Sequence, residues 1–176
     1  MPGRPRRCRG SPEGLPCVFR RAVAFWYLRY VAEHIVLKVR RLHAEAQVPA
    51  RATEGSSGLD LYACLPEGEI VLGPDPVRVP TGIAIEFPGG YDAQVRPRSG
   101  LSLKGVGVAF GTIDSDYRGE VLVTMWAFGS RQEHTVRHGE RIAQLVITPL
   151  AQLPVIEVEE LGPSARGEGG HGSTGS

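Results

Sequence analysis

The chain has 176 residues and a formal net charge of +1, a length that fits one domain able to bury a core without cross-links. The charge is unevenly divided, because residues 1–41 carry ten Lys and Arg against two Asp and Glu, whereas residues 42–176 carry ten against seventeen. An acidic body argues against broad binding to nucleic acid, so a polyphosphate would need a local group of arginines.

Residues 1–34 are predicted to be a basic N-terminal extension. Residues 1–17 are rich in Arg, Pro and Gly and lack apolar periodicity. The apolar run 22–28 follows two arginines, as in a signal peptide, but Arg29 interrupts it, no clean cleavage site follows, and it is too short to span a membrane. Two interpretations are favoured over targeting, which stays an alternative: a disordered or weakly helical tail, or an upstream extension that is translated only in this version of the gene.

The cysteines do not predict a disulfide framework, because there are three of them at irregular spacing. A reducing compartment is therefore expected, and we predict a cytoplasmic protein with no membrane partner. Cys8 and Cys17 are too far apart for the usual paired zinc motif, and no suitable histidine pair accompanies them. Cys64 is expected to be a small core or edge residue.

From Ile35 onward the pattern changes to short runs of period two separated by turn residues, which is typical of half-buried strands. The predicted strands lie at 77–87, where Pro-Thr-Gly interrupts the alternation, and at 91–95, 121–127, 142–147 and 155–159. No segment after residue 45 keeps helical spacing with caps over three turns. We therefore predict an all-β domain at 35–163, a β-sandwich or jelly roll, and a flexible Gly-rich tail at 164–176.

Five polar segments combine small residues with charges: 55–63, 96–102, 111–121, 139–147 and 166–175. Gly and Ser let backbone N–H groups approach an anion, and arginines such as Arg98 and Arg166 can fork onto phosphate oxygens. Asp60 and Asp114 can hold a hydrated Mg²⁺ or a water. Each segment alone is a weak signal, and the tail by itself could be a flexible linker that lacks the P-loop ending. Together they predict a site for a nucleotide polyphosphate with magnesium.

In this order the segments resemble the five motifs of the homotrimeric dUTPase family, from about residue 35 to the C terminus. The most specific matches are RPRSGLS at 96–102, GTIDSDYRGE at 111–120 and the terminal RGEGG and GSTG pattern. The resemblance implies a jelly-roll trimer that hydrolyses dUTP to dUMP and pyrophosphate with Mg²⁺, which limits uracil in DNA and supplies dUMP. It also implies three active sites between subunits, each closed by the C-terminal tail of one subunit.

The resemblance further implies the roles of single residues. Asp114 would position or deprotonate the water that attacks the α-phosphorus, and Tyr117 would pack beneath the deoxyribose and exclude a 2′-hydroxyl. Asp60 would reach magnesium through water. The remaining substrate-binding residues are Arg98, Ser99 and Gly100 on the phosphates, Gln144 near the α-phosphate, and Arg166, His171, Gly172, Ser173 and Thr174 in the tail.

Two departures from the family pattern concern the base. The family usually has an Asn shortly before GTID, in the hairpin that reads uracil, whereas residues 107–110 here read GVAF and the hairpin is expected to be shorter. Uracil recognition would then fall mainly on backbone N–H and C=O groups. The tail aromatic that stacks on the base is usually Phe, and here it is His171.

Nearby residues have structural interpretations. Asp116 and Arg118 are expected to form an ion pair or a subunit contact, and Arg141 to pair across an interface. His138 is expected to be solvated in its turn, and Trp126 to pack in the core or between subunits.

Two other functions compete with dUTP hydrolysis. A dCTP deaminase of similar fold would need an acid in the base-reading hairpin, and residues 105–113 contain none. A catalytically silent nucleotide-binding module should have lost the catalytic Asp or the tail, and this chain keeps Asp114, Tyr117, Arg166 and the GSTG end.

Overall fold

The structure is a computed structural model, and it describes residues 36–130, 133–164 and 167. This part of the chain is built from strands and a single helical turn, so the predicted all-β class is confirmed. The elements are β1 (Lys38–Arg41), β2 (Leu59–Tyr62), β3 (Glu69–Leu72), β4 (Val77–Glu86), β5 (Tyr91–Arg96), α1 (Ser99–Ser102), β6 (Val106–Val108), β7 (Gly111–Ile113), β8 (Glu120–Ala127), β9 (His134–Arg137) and β10 (Arg141–Pro149).

Two four-stranded sheets form a jelly-roll sandwich. One has the order β1-β4-β8-β6 and the other β2-β10-β5-β7, with β3 and β9 as a separate ribbon. All ladders are antiparallel. Alternate residues of both sheets meet in one core, as period two requires. Its fully buried members include Val79, Val123, Met125, Ile142 and Leu145.

The Pro-Thr-Gly interruption predicted in β4 is a β-bulge. β4 pairs with β8 up to Pro80 and again from Ala84, with a register shift between them. Gly82 has a φ of +67°, and its N–H donates to Glu120 Oε1 at 2.7 Å. A left-handed residue opposite a side-chain acceptor keeps the strand continuous through the bulge.

The strand predicted at 155–159 is wrong for the single chain. Residues 150–158 have no strand assignment, and Leu153, Val155 and Ile156 are 80%, 97% and 77% exposed. An alternating segment becomes a strand only beside a partner strand, and no ladder among the described residues includes it.

The predicted extension at 1–34 lies outside the described residues, as does most of the predicted tail. Within the described part, no helix is long and apolar enough to cross a membrane.

Candidate active site

A cluster of polar side chains spans three neighbouring strand ends around Asp60. Asp60 on β2 is opposite Gln144 on β10, and Gln144 is opposite Arg96 on β5. Arg98, two residues beyond β5, places its Nε 3.2 Å from Asp60 Oδ1, while Arg141 Nη1 lies 3.2 Å from Asp60 Oδ2. Asp60 is only 8% exposed, so its buried charge is compensated by two guanidinium groups.

Gln144 is held against the same cluster by a close backbone approach. Its Nε2 donates to the carbonyl of Pro97 at 2.9 Å. On the other side lies Gly58, where a Cβ would sit 2.5 Å from Gln144 Oε1. A side chain at position 58 would therefore displace the amide. Sequence reasoning assigned the glycines of 55–63 only to anion approach and missed this packing role.

Ser99 and Gly100 begin the turn of α1 and are exposed. The turn is anchored from below by Leu101, which is 7% exposed and whose N–H donates to the carbonyl of Arg98 at 3.0 Å. Arg98 itself is extended, with φ −98° and ψ 128°. Arg98, Ser99 and Gly100 therefore stand together beside Gln144, as a set able to surround phosphate oxygens.

Asp114 and Tyr117 form a second, exposed group in the turn after β7. The carbonyl of Asp114 accepts the N–H of Tyr117 at 3.1 Å, and the Tyr117 hydroxyl donates to the carbonyl of Glu120 at 3.3 Å. Tyr117 is 46% exposed, and its ring packs on Gly119, where a Cβ would collide with the phenol. The aromatic face is thus fixed in position while open to solvent.

The two groups lie apart in one chain. Ile113 is opposite Ala93 in the β5–β7 ladder, so Asp114 is level with Asp92, four residues before the Arg96 end of β5. At about 3.3 Å per residue, Asp114 is roughly 13 Å or more from the cluster of Asp60, Arg98 and Gln144, called the Arg98 cluster below. The structure brings Asp60, Arg98 and Gln144 together and leaves Asp114 outside that cluster.

The expected base-reading hairpin is a crossover in the structure, which corrects that prediction. β6 pairs with β8 in one sheet, and β7 pairs with β5 in the other. Only Ala109 and Phe110 separate the two strands, and they carry the chain from sheet to sheet because each strand already has another partner. Gly107 lies directly under Trp126, leaving no room for a Cβ.

The expected ion pair between Asp116 and Arg118 is not formed, whereas their alternative role in a subunit contact stays a prediction, and Arg141 pairs within its own chain. Arg118 does not pair with Asp116: its Nε lies 4.0 Å from Glu86 Oε2, and its Nη1 donates to the carbonyls of Ser115 and Tyr117. Arg141, expected at an interface, pairs with Asp60 of its own chain. The sheet order brings Glu86 to Arg118 and Asp60 to Arg141, and spacing along the chain does not reveal either pairing.

Structural interpretations were also made for His138 and Cys64. His138 is exposed, as expected, and in addition its Nδ1 accepts the N–H of Leu65 at 3.0 Å and its Nε2 lies 3.6 Å from Glu45 Oε2. Cys64 is 7% exposed, as a core residue should be. Burial and the negative charges of Glu120 and Glu45 raise the pKa of its thiol, so it is not a reactive nucleophile.

Metal binding has little direct support from side chains. Among the described residues, no group of three His, Cys, Asp or Glu side chains could hold an ion, and both oxygens of Asp60 face arginines.

Five of the predicted substrate-binding residues belong to the C-terminal tail and lie outside the described residues: Arg166, His171, Gly172, Ser173 and Thr174.

Comparison with known proteins gives a consistent result. A family model described as dUTPase matches residues 44–175. A deoxyuridine 5'-triphosphate nucleotidohydrolase of Syntrophotalea carbinolica is 49% identical over 145 residues, which are 80% of this chain and 97% of that protein. The dUTPase of Staphylococcus bacteriophage 80alpha, solved with dUpNHpp, is 28% identical with a TM-score of 0.68, covering 80% of this chain and 99% of that one. A mutant dUTPase from phage phi11 of S. aureus, solved to describe the coordination of a structural Mg(II) ion, is 26% identical with a TM-score of 0.64, covering 71% and 97%.

Proposed function

The chain belongs to the dUTPase family and hydrolyses dUTP to dUMP and pyrophosphate, and from this premise we propose which of its residues perform the reaction. Asp114 accepts a proton from the water that attacks the α-phosphorus and holds that water in line. Its exposed position at the end of β7, beside the fixed ring of Tyr117, is the observation that supports this most directly. A positioned base and a positioned water together suffice, without a covalent intermediate.

Arg98, Ser99, Gly100 and Gln144 bind the triphosphate. Backbone N–H groups at the start of α1 and the Arg98 guanidinium offer donors for the phosphate oxygens, and Gln144 approaches the α-phosphate. Asp60 fixes Arg98 for this task through the 3.2 Å ion pair. Tyr117 offers its open face to the deoxyribose, where a 2′-hydroxyl would have no space.

Mg²⁺ is the proposed cofactor, and it would neutralise part of the charge of the bound triphosphate. A carboxylate already paired with two arginines is a poor direct ligand but can accept a hydrogen bond from a metal-bound water, which is the role proposed for Asp60.

A homotrimer with shared sites is proposed, and the position of Asp114 in the single chain supports it. Asp114 lies roughly 13 Å or more from the Arg98 cluster, a separation that a second subunit could bridge by completing the site. The exposed apolar residues of 150–158 need another chain to cover them. In this arrangement the tail residues Arg166, Ser173 and Thr174 hold the γ-phosphate, and His171 and Gly172 close over the base of a neighbouring site.

Deamination of dCTP is not favoured, because the crossover at 107–113 carries no acid that could shuttle a proton to the base. A catalytically silent binding module is not favoured either, because both the exposed Asp114 and the proposed triphosphate-binding residues Arg98 and Gln144 are present.

The decisive experiment is pyrophosphate release from dUTP, dCTP, dTTP and UTP with Mg²⁺, using wild type, Asp114→Asn and Asp116→Asn. We expect wild type to favour dUTP, and Asp114→Asn to lower kcat about a hundredfold or more with unchanged nucleotide binding. Asp116→Asn is the matched control, an exposed acid of the same turn, and should stay within about threefold of wild type. Equal losses in both variants would remove Asp114 from its catalytic role.

A further inference from the structure

We propose that Arg96 is a positioning residue for base recognition: its guanidinium stacks on Phe110 and fixes the crossover between β6 and β7. This inference rests on the proposed dUTP hydrolysis and on the expectation from the sequence that the backbone of residues 107–110 reads uracil, and it names the side chains that hold that backbone in place.

The contact itself is well defined. The guanidinium carbon of Arg96 lies 5.5 Å from the centroid of the Phe110 ring, within the range of about 6 Å for a cation–π interaction. The β5–β7 ladder explains why the two side chains are close. Val95 is opposite Gly111, and the strands are antiparallel, so Arg96 is level with Phe110. Phe110 is 61% exposed, so burial restrains its ring only in part, and the guanidinium lies over one face of it.

Arg96 is in turn held by a chain of hydrogen bonds. Its Nε and Nη2 donate to Gln94 Oε1 at 3.0 and 2.5 Å. Gln94 Nε2 donates to Asp92 Oδ2 at 2.8 Å and to Thr148 Oγ1 at 3.3 Å. Because the Asp92 carboxylate only accepts, the Gln94 amide must turn its oxygen towards Arg96. Asp92 is 7% exposed, so the chain leads from a fixed buried carboxylate to the exposed crossover.

The crossover needs such support because of its composition. Residues 107–110 contain no Asn or other side chain that could form base-specific hydrogen bonds, so recognition depends on backbone N–H and C=O directions. Those directions change with every backbone rotation at Ala109 and Phe110. A rigid anchor at Phe110 preorganises them before the nucleotide binds, which strengthens binding without adding a contact to the base.

The test compares Arg96→Met, Phe110→Leu and the double variant with Arg137→Met, an arginine that pairs with Glu69 on the distant β3–β9 ribbon. The probes are a dUTP analogue with an imido bridge between the α- and β-phosphates, whose Kd is measured by calorimetry, and inorganic tripolyphosphate as a base-free competitor. KM and kcat for dUTP and the Tm of each variant complete the set.

Each single variant should raise the analogue Kd and the dUTP KM about three- to tenfold, with kcat within about twofold. The double variant should be no worse than either single variant, because both remove one interaction. Affinity for tripolyphosphate and Tm should be unchanged. Phe110→Tyr keeps the ring face, so its analogue Kd should equal that of wild type. Arg137→Met should also match wild type in every measurement.

Any of four results would overturn the inference. Three concern binding: additive losses in the double variant, an unchanged analogue Kd, or a loss of tripolyphosphate binding, which would make Arg96 a phosphate ligand. A fall in Tm of several degrees in Arg96→Met and in the milder Arg96→Lys would likewise make the role structural. Wild-type pyrophosphate release tests the proposed function separately, since the Kd comparison needs binding alone.

Discussion

Three aspartates of one sheet show how surroundings assign different tasks to the same side chain. Asp114 is exposed in a turn, which suits the role of a general base that we propose for it. Asp60 is nearly buried between two arginines, and we propose that it orients one of them, Arg98. Asp92 is equally buried but lies among neutral partners, where hydrogen bonds from Thr148 and then Gln94 lower the pKa of its carboxyl.

The lowered pKa of Asp92 makes a prediction about stability. A carboxyl whose pKa is lower in the folded state stabilises the protein above its unfolded value of about 3.9, and this contribution is lost as the pH falls through the folded value. Asp92→Asn should therefore lower the free energy of unfolding by about 1–2 kcal/mol at pH 7, or Tm by roughly 2–8 °C.

The measurement is Tm of wild type and Asp92→Asn between about pH 7 and pH 3. The two curves should approach each other as the pH falls from the unfolded value of about 3.9 towards the lower folded value, where the wild-type carboxyl also becomes neutral. A difference that stays constant across the range would show that packing, not ionisation, accounts for the effect.

At the scale of elements, the bulge in β4 depends on Gly82. Its φ is +67°, and a Cβ there would lie 2.7 Å from Cys64 Sγ and 2.8 Å from Ala46 Cβ. Gly82→Ala combines a left-handed backbone with overpacking of the core, so it should destabilise the fold by about 2–5 kcal/mol.

The control for this prediction is Gly90→Ala. Gly90 has a φ of +83° but open space around its Cβ position, so this variant isolates the conformational cost of about 1–2 kcal/mol. Urea unfolding of both variants measures the difference. If the two lose equal stability, the contact with Cys64 and Ala46 carries no cost.

At the scale of the whole molecule, the separation of Asp114 from the Arg98 cluster predicts complementation between inactive chains. Asp114→Asn and a variant that ends before Arg166 should each be inactive alone. Mixed trimers, formed by coexpression or by unfolding and refolding together, should regain part of the activity, because some sites receive Asp114 from one chain and a tail from another.

The control mixes Asp114→Asn with a truncated chain that also carries Asp114→Asn, which should regain nothing. A monomeric mass by light scattering, with activity that persists on dilution, would contradict shared sites.

Local patterns were enough to predict much of the fold from the sequence. Alternation of apolar residues marked β4, β5, β8 and β10, because each has one face in the core. Pro-Thr-Gly marked an interruption of the alternation in β4, which the structure shows to be a bulge whose left-handed residue is Gly82. The segments around Asp60, Arg98, Asp114 and Gln144 were identifiable because close anion approach and charge need particular residue types at short spacing. Their roles in catalysis stay predictions, as do those of the tail.

Other features depend on contacts between residues far apart in the chain, which only the tertiary structure decided. Arg141 meets Asp60 because β2 and β10 are neighbours, and Arg96 meets Phe110 because β5 and β7 are. The crossover at Ala109 arises because β6 and β7 bind different strands, and residues 155–159 form no strand because pairing requires a partner that alternation alone cannot supply. Spacing along the chain specifies which side chains share a face, but the sheet order determines which of them touch.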